Sequence, residues 1–298
     1  MSWYEVSPRN VAGIFIVVAL CLPQTAICER LWTAGVAETF VDSDGRSMAY
    51  RYYLPDDYRP DASYPLILSL HGAGQVGTDN VLNVSIVVNG LIAATASDYP
   101  AILLAPQVAT PGWTPNNPDD LTTDLLDEFL TRFPIDRRRL YITGASMGGF
   151  GTMRYLEHYH VDEPGTLRFA AAAPTAGAFI SEEAIDVLRT TPIWLSHNTG
   201  DPLVSFESSL STYNALTNQP IDTPFQANIR GGGAGGPLAE SGLTRLTAGQ
   251  RDNHNSWGPL YQDPAFYDWL FDQSLPVPEP SAGLLALIAA VSLAARRY

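Results

Sequence analysis

Apolar positions along the chain follow two periods in turn. Ala37–Val41 and Ser47–Leu54 alternate across the turn Asp42-Ser43-Asp44-Gly45, which predicts a β-hairpin. Short continuous apolar runs follow at Pro65–Leu70, Ala101–Ala105, Leu140–Thr143, Arg168–Ala173, Ile193–Ser196 and Leu243–Ala248, and each predicts a buried strand. Helical segments separate them: Val81–Ala96, Asp119–Phe133, Met147 to about His158, Glu182–Arg189 and Phe206–Leu216, with a last helix over Pro264–Asp272. Strands alternating with helices imply a mostly parallel α/β sheet with helices on both faces. Residues 231–242 (GGGAGGPLAESG) read as one flexible loop, because the alternation resumes beyond them. No long insertion lies between Pro174 and Pro192, which leaves little room for a cap domain and predicts an open, shallow cleft.

The two ends break this pattern. Residues 1–28 read as a signal peptide: Arg9 precedes the apolar run Val11–Leu22, and Ala26-Ile27-Cys28 fits cleavage before Glu29. At the other end, Pro276-Val277-Pro278-Glu279-Pro280-Ser281 leads into an uncharged apolar stretch, Ala282–Ala295, closed by Arg296-Arg297-Tyr298. This segment resembles the PEP-CTERM sorting signal of Gram-negative bacteria, with Val277-Pro278-Glu279-Pro280 matching its motif. The resemblance implies processing by an exosortase after signal peptidase, a transient membrane anchor, and delivery to the cell surface or extracellular matrix. The working domain is then 29–275, with 276–298 as the tail.

Composition narrows the function. The 298 residues include 31 acids and 17 basic residues, all of them arginine, and the formal charge is −14. No basic face for nucleic acid is expected from such a chain. Cys21 and Cys28 both precede the expected cleavage point, so no disulfide framework or cysteine zinc site is expected. C-x-x-C, H-E-x-x-H and P-loop motifs are missing from the sequence, and no cofactor or metal is called for. Arg137-Arg138-Arg139 reads as a set of helix-end charges, at the sheet end opposite the chemistry.

The candidate chemistry centres on Gly144-x-Ser146-x-Gly148, which joins a predicted strand to a predicted helix. A sharp strand-to-helix turn would lift the Ser146 hydroxyl above the sheet. A serine needs a base. Among five histidines, His254 lies where the order serine, acid, histidine requires one; His71 precedes the serine, His158 and His160 follow it on its own helix, and His197 ends a strand. Asp201, just past the strand Ile193–Ser196, is the expected acid, ahead of Asp186 on a helix and Asp252 beside the base. The backbone N–H groups of Met147 and Ala73 are the expected oxyanion donors. Trp113 and Trp257 are the expected substrate-binding aromatics, and His71 is expected to fix its own loop.

These residues resemble, in order over about residues 37–272, a group of secreted α/β-hydrolases: the polyhydroxybutyrate-depolymerase-like and feruloyl-esterase-like enzymes, with predicted peptidases akin to prolyl oligopeptidase. Leu70-His71-Gly72-Ala73-Gly74, Gly77-Thr78-Asp79-Asn80, Ala105-Pro106-Gln107 with Trp113, Ser146-Met147-Gly148-Gly149, Asp201 and His254-Asn255-Ser256-Trp257 carry the resemblance. It implies an α/β-hydrolase fold with Ser146 as nucleophile, Asp201 as acid, His254 as base, and an oxyanion site at Ala73 and Met147. Asn198 stands where the group usually has glycine, which is expected only to reshape the turn before Asp201. The expected activity is cleavage of a carboxylic ester, free or polymer-linked. The alternatives are a serine peptidase of prolyl-oligopeptidase type, or a non-catalytic matrix protein on a hydrolase scaffold.

Overall fold

β3 (Tyr64–Leu70) and β4 (Ile102–Gln107) are buried from end to end, as strands covered on both faces must be. In this computed structural model the described residues are 35–85, 87–115, 117, 119–162, 169–217, 221 and 238–276. The expected signal peptide and all of the sorting tail except Pro276 lie outside them. Around the central pair stand β1 (Val36–Val41), β2 (Ser47–Tyr53), β5 (Ile135–Ala145), β6 (Ala171–Thr175), β7 (Ile193–Asn198), β8 (Leu238–Ser241) and β9 (Thr244–Gly249), in the order β1-β2-β4-β3-β5-β6-β7-β9-β8. Pairing is parallel from β4 through β9 and antiparallel at the two margins, β1-β2-β4 and β9-β8.

The helices are α1 (Asn89–Ala96), α2 (Thr122–Arg132), α3 (Met147–Glu157), α4 (Ile185–Leu188), α5 (Glu207–Leu216), α6 (Trp257–Leu260) and α7 (Pro264–Phe271). Side chains alternate across each strand. Leu66, Leu68 and Leu70 therefore pack with α2, α3 and α5 through Phe129, Met153 and Tyr213. Ile67 points to the other face and joins α1 and α7 through Leu91, Ile92, Phe266 and Leu270. The result is a sheet between two helical layers, with no large cap among the described residues.

Three expectations change. The helix expected over Val81–Ala96 is split into a 3-10 turn at Leu82–Val84 and α1. Asp79 accepts from the N–H groups of Val81 and Leu82, and Asn83 donates to the Ala105 carbonyl, so side chains end the first turn early. Part of the expected Gly-rich loop is β8, which returns along β9 through Gly242 at φ 60°. Arg137–Arg139 lie within β5 rather than at a helix end: Phe133 precedes Pro134 and is extended (φ −115°, ψ 152°), so the chain leaves α2 as a strand.

Candidate active site

The strands end together on one side. Ala145 pairs with Thr175, Thr175 with Ser196, and Asn198 with Gly249. Neighbouring strands lie about 4.8 Å apart, so the loops after β5, β6, β7 and β9 share one rim. Ser146 follows β5 directly, Asp201 follows β7 by three residues, and His254 follows β9 by five.

Ser146 adopts φ 58°, ψ −115°, a left-handed conformation that a β-carbon makes costly. Its N–H is tied to the Thr175 carbonyl at 2.8 Å, and α3 starts at the next residue, Met147. The strain sits where a strand must turn at once into a helix. The Met147 N–H is one of the first-turn donors that the helix leaves without an intrahelical acceptor.

Asp201 and His254 meet directly. His254 Nδ1 donates to Asp201 Oδ2 at 2.6 Å, with the acid side chain fully buried and the imidazole 16% exposed. The other carboxylate oxygen accepts from the N–H groups of Leu203 (2.8 Å) and Val204 (3.0 Å). Burial pushes the Asp201 carboxyl upward, but hydrogen bonds from His254, Val204 and Leu203 outweigh it and hold it below the ordinary carboxylate value. With Nδ1 engaged by the carboxylate, Nε2 is the ring nitrogen left for another partner. Asp186 is elsewhere, paired with Arg189 at 3.1 Å on the surface, and Asp252 is exposed against Gly200.

The His254 loop has a tether that sequence reasoning missed. Asn198 does more than reshape its turn: its Nδ2 donates to the Asn253 carbonyl at 2.8 Å and to the Asn253 side chain at 3.1 Å, one residue before His254. Trp257 opens α6 and stands edge-on to His254, with ring centroids 5.5 Å apart.

The loop after β3 lies against Ser146: a β-carbon on Gly72 would be 3.7 Å from Ser146 Cβ. It is braced from several sides. His71 Nε2 accepts from the Val108 N–H at 3.2 Å, so Nδ1 carries the proton and donates to the Gly72 carbonyl at 2.8 Å. The Gly72 N–H donates to Gln75 Oε1, and Gln107 Nε2 donates to the Gln75 carbonyl. Ala73, exposed, begins the 3-10 turn Ala73–Gln75.

Trp113 belongs to this brace, which corrects its expected role at the substrate. It is 1% exposed, donates from Nε1 to the His71 carbonyl at 2.9 Å and packs on the His71 ring at 4.8 Å. An indole closed in this way has no face left for a substrate. Gly151 lets α3 approach it, since a β-carbon there would fall 2.5 Å from Trp113 Cβ.

Burial holds the His71 imidazole down at about 4, against weaker upward pulls from the Gly72 carbonyl and Asp120. Between about pH 6.5 and about pH 4 the unfolded chain binds a proton here that the fold refuses, so acidification through that window removes stability, up to about 3 kcal/mol. Urea unfolding across this range is expected to show that loss, and His71→Asn is expected to reduce the pH dependence by that amount. Equal slopes in both proteins would contradict it.

Among the described residues, no group of three His, Cys, Asp or Glu could hold a metal ion, and no helix is long and apolar enough to cross a membrane.

With this geometry the chain is similar to known proteins. Residues 42–172 match the family described as "Putative esterase". A bifunctional acetylxylan esterase/xylanase of Neocallimastix patriciarum is 26% identical over 181 residues, 59% of this chain and 25% of that protein. The solved structure of a thermostable esterase is 29% identical with a TM-score of 0.67, over 83% of this chain and 64% of that one. A feruloyl esterase module from Clostridium thermocellum, complexed with sinapinate, has a TM-score of 0.56 at 16% identity, over 79% of this chain and 87% of the module, a likeness of fold alone. The chain thus spans a quarter of the curated relative and less than two thirds of the thermostable esterase. Its fold is that of the α/β-hydrolases.

Proposed function

We propose that this chain is a serine hydrolase that cleaves carboxylic esters through an acyl-enzyme. The observation that carries the reading is the 2.6 Å hydrogen bond between Asp201 and His254 on the rim from which the strained Ser146 turn departs. The match to an esterase family over residues 42–172 supports the reaction class.

Ser146 Oγ attacks the ester carbonyl carbon as His254 Nε2 takes its proton. Asp201 holds the Nδ1–H tautomer and stabilises the imidazolium. The carbonyl oxygen becomes an oxyanion between the N–H groups of Met147 and Ala73, each worth about 2.7–4 kcal/mol in the transition state. His254 returns the proton to the alcohol oxygen as the C–O bond breaks, and then activates the water that releases the acid from Ser146.

The rim supports an ester with an apolar or aromatic group. Phe179, 61% exposed on the loop after β6, and Leu203, 76% exposed two residues past Asp201, are the most exposed large apolar side chains described. Gly177, in the Phe179 loop, touches the nucleophile turn: a β-carbon there would be 3.1 Å from the Ser146 carbonyl oxygen. Trp257 adds an aromatic edge beside the base. Phe179→Ser and Leu203→Ser are each expected to raise KM for aryl or long-chain acyl esters about tenfold relative to acetyl esters, the scale of one lost apolar contact. Equal changes for both classes would remove these residues from substrate recognition.

Residues 1–28 and 276–298 support export and delivery to the cell surface, through signal peptidase and an exosortase-type enzyme.

The function is tested with a fluorophosphonate probe, which captures an activated serine covalently. Mass spectrometry is expected to find one adduct, on the peptide containing Ser146, in protein that also hydrolyses p-nitrophenyl acetate. Protein that neither labels at Ser146 nor turns over aryl esters would sink the proposal.

A further inference from the structure

Asp201 Oδ2 has a second imidazole partner. His197, the penultimate residue of β7, is fully buried, with Nε2 3.2 Å from Asp201 Oδ2 and 3.1 Å from the Val204 carbonyl oxygen. Its Nδ1 lies 2.8 Å from Ser209 Oγ on α5, a hydroxyl that is itself buried. Resting on the hydrolase reading above, we propose that His197 is a positioning residue for the acid: a buried imidazole, donating from Nε2, that holds the Asp201 carboxylate turned toward His254.

The partners fix the tautomer. A carbonyl oxygen can only accept, so His197 Nε2 must carry the proton and share it between Val204 and Asp201. Nδ1 then presents a lone pair, and the Ser209 hydroxyl donates to it. Burial drives the His197 pKa below its ordinary value; Asp201 and the Val204 carbonyl pull it upward and lose. The groups that face the ring are Asp201 and Val204 from the loop after β7, Phe206 and Ser209 at the start of α5, and His254 across Asp201. A proton on His197 would put a second cation on the carboxylate that must balance the His254 imidazolium. Neutrality lets His197 orient the acid without competing for its charge.

Two oxygens and four donors then leave the carboxylate one orientation. The Leu203 and Val204 N–H groups hold Oδ1, and the two imidazoles hold Oδ2. The sequence shows His197 only as a strand end; its role depends on burial and on Ser209.

The test uses the full chain labelled with ¹⁵N at histidine. Long-range ¹H–¹⁵N spectra between about pH 5 and about pH 9 are expected to show His197 as the Nε2–H tautomer throughout, without titrating. In His197→Phe, which keeps a ring against Phe206 but loses the donor, the downfield Nδ1 proton of His254 is expected to shift. The kcat for an aryl ester should fall about tenfold or more, as when a hydrogen bond to a charged group is lost, with KM unchanged. The acidic limb of kcat/KM should move upward, because Oδ2 then serves His254 alone. His197→Gln, whose side-chain amide can donate from the same place, should restore most of kcat and return the limb.

The proposal is overturned if His197 in the wild-type chain takes up a proton near its ordinary value or carries it on Nδ1. It is also overturned if folded His197→Phe keeps wild-type kcat and pH profile. Should the tautomer be as stated in a chain that neither hydrolyses esters nor labels at Ser146, the arrangement stands and the hydrolase reading falls.

Discussion

Asp201→Asn is expected to lower kcat about 10⁴-fold with little change in KM. The substitution keeps volume and shape, so what changes is which atoms can donate. The Leu203 and Val204 N–H groups, at 2.8 and 3.0 Å, require an oxygen at the Oδ1 position. The new amide nitrogen must therefore occupy the Oδ2 position, where it meets the donors on His254 Nδ1 and His197 Nε2. Three donors cannot share that place. His197 is held by Val204 and Ser209, so the imidazole that yields is His254, the more exposed of the two. It then takes the Nε2–H tautomer and, on the proposed mechanism, cannot accept the Ser146 proton. Aryl-ester turnover measures the loss, and the fluorophosphonate labelling rate should fall in parallel, because both require the same proton transfer. Activity within tenfold of wild type would mean that Asp201 does not set the tautomer of His254, and the acid would have to be sought elsewhere.

Much of this arrangement was legible in the sequence, because it depends on local patterns. The alternating stretches on either side of Asp42-Ser43-Asp44-Gly45 can satisfy their backbone only as a hairpin, and β1 and β2 form one. The apolar runs at 65–70, 101–105 and 193–196 have no polar face to show to water, and they lie inside the sheet. The approach of Asp201 to His254 followed from chain order and strand ends.

What was not legible depends on contacts distant in sequence. Trp113 looks like a cleft aromatic until His71 and Gly151 are seen to enclose it. Asn198 is a bare substitution for glycine until Asn253 arrives opposite. β8 was hidden because its four residues follow a run of glycines, although Ser241-Gly242 is itself a turn signal. Local propensity also says nothing of how tightly two backbones approach, and that is what makes Gly148 indispensable.

Gly148→Ala is expected to destabilise the protein by about 3 kcal/mol or more, the upper end of overpacking costs, and to lower Tm by about 6–12 °C. Helix propensity predicts the opposite, a gain of about 1 kcal/mol for replacing glycine within a helix. Sterics decide the outcome. A β-carbon at this buried position in the first turn of α3 would lie 2.0 Å from the Leu70 carbonyl oxygen, 2.6 Å from its carbon and 2.9 Å from the His71 carbonyl oxygen. All three are backbone atoms, so no rotamer change relieves them and α3 must move away from the end of β3. Gly144 is held in the same contact, its β-carbon falling 2.4 Å from the Gly148 carbonyl oxygen and 2.8 Å from that of Leu70. The two glycines around Ser146 thus seat its turn against the strand that leads into the Ala73 loop. On the proposed mechanism, displacing α3 moves the Met147 N–H relative to the Ala73 loop, and the loss of one oxyanion donor is worth about 10²–10³ in kcat. Gly148→Ala should therefore lose kcat as well as stability. Gly74→Ala, with nothing within 4 Å of its β-carbon, should lose neither. Thermal melts and aryl-ester kinetics on the two variants make the comparison, and a Gly148→Ala protein with wild-type Tm and kcat would show that the Ser146 turn does not need its close approach to the end of β3.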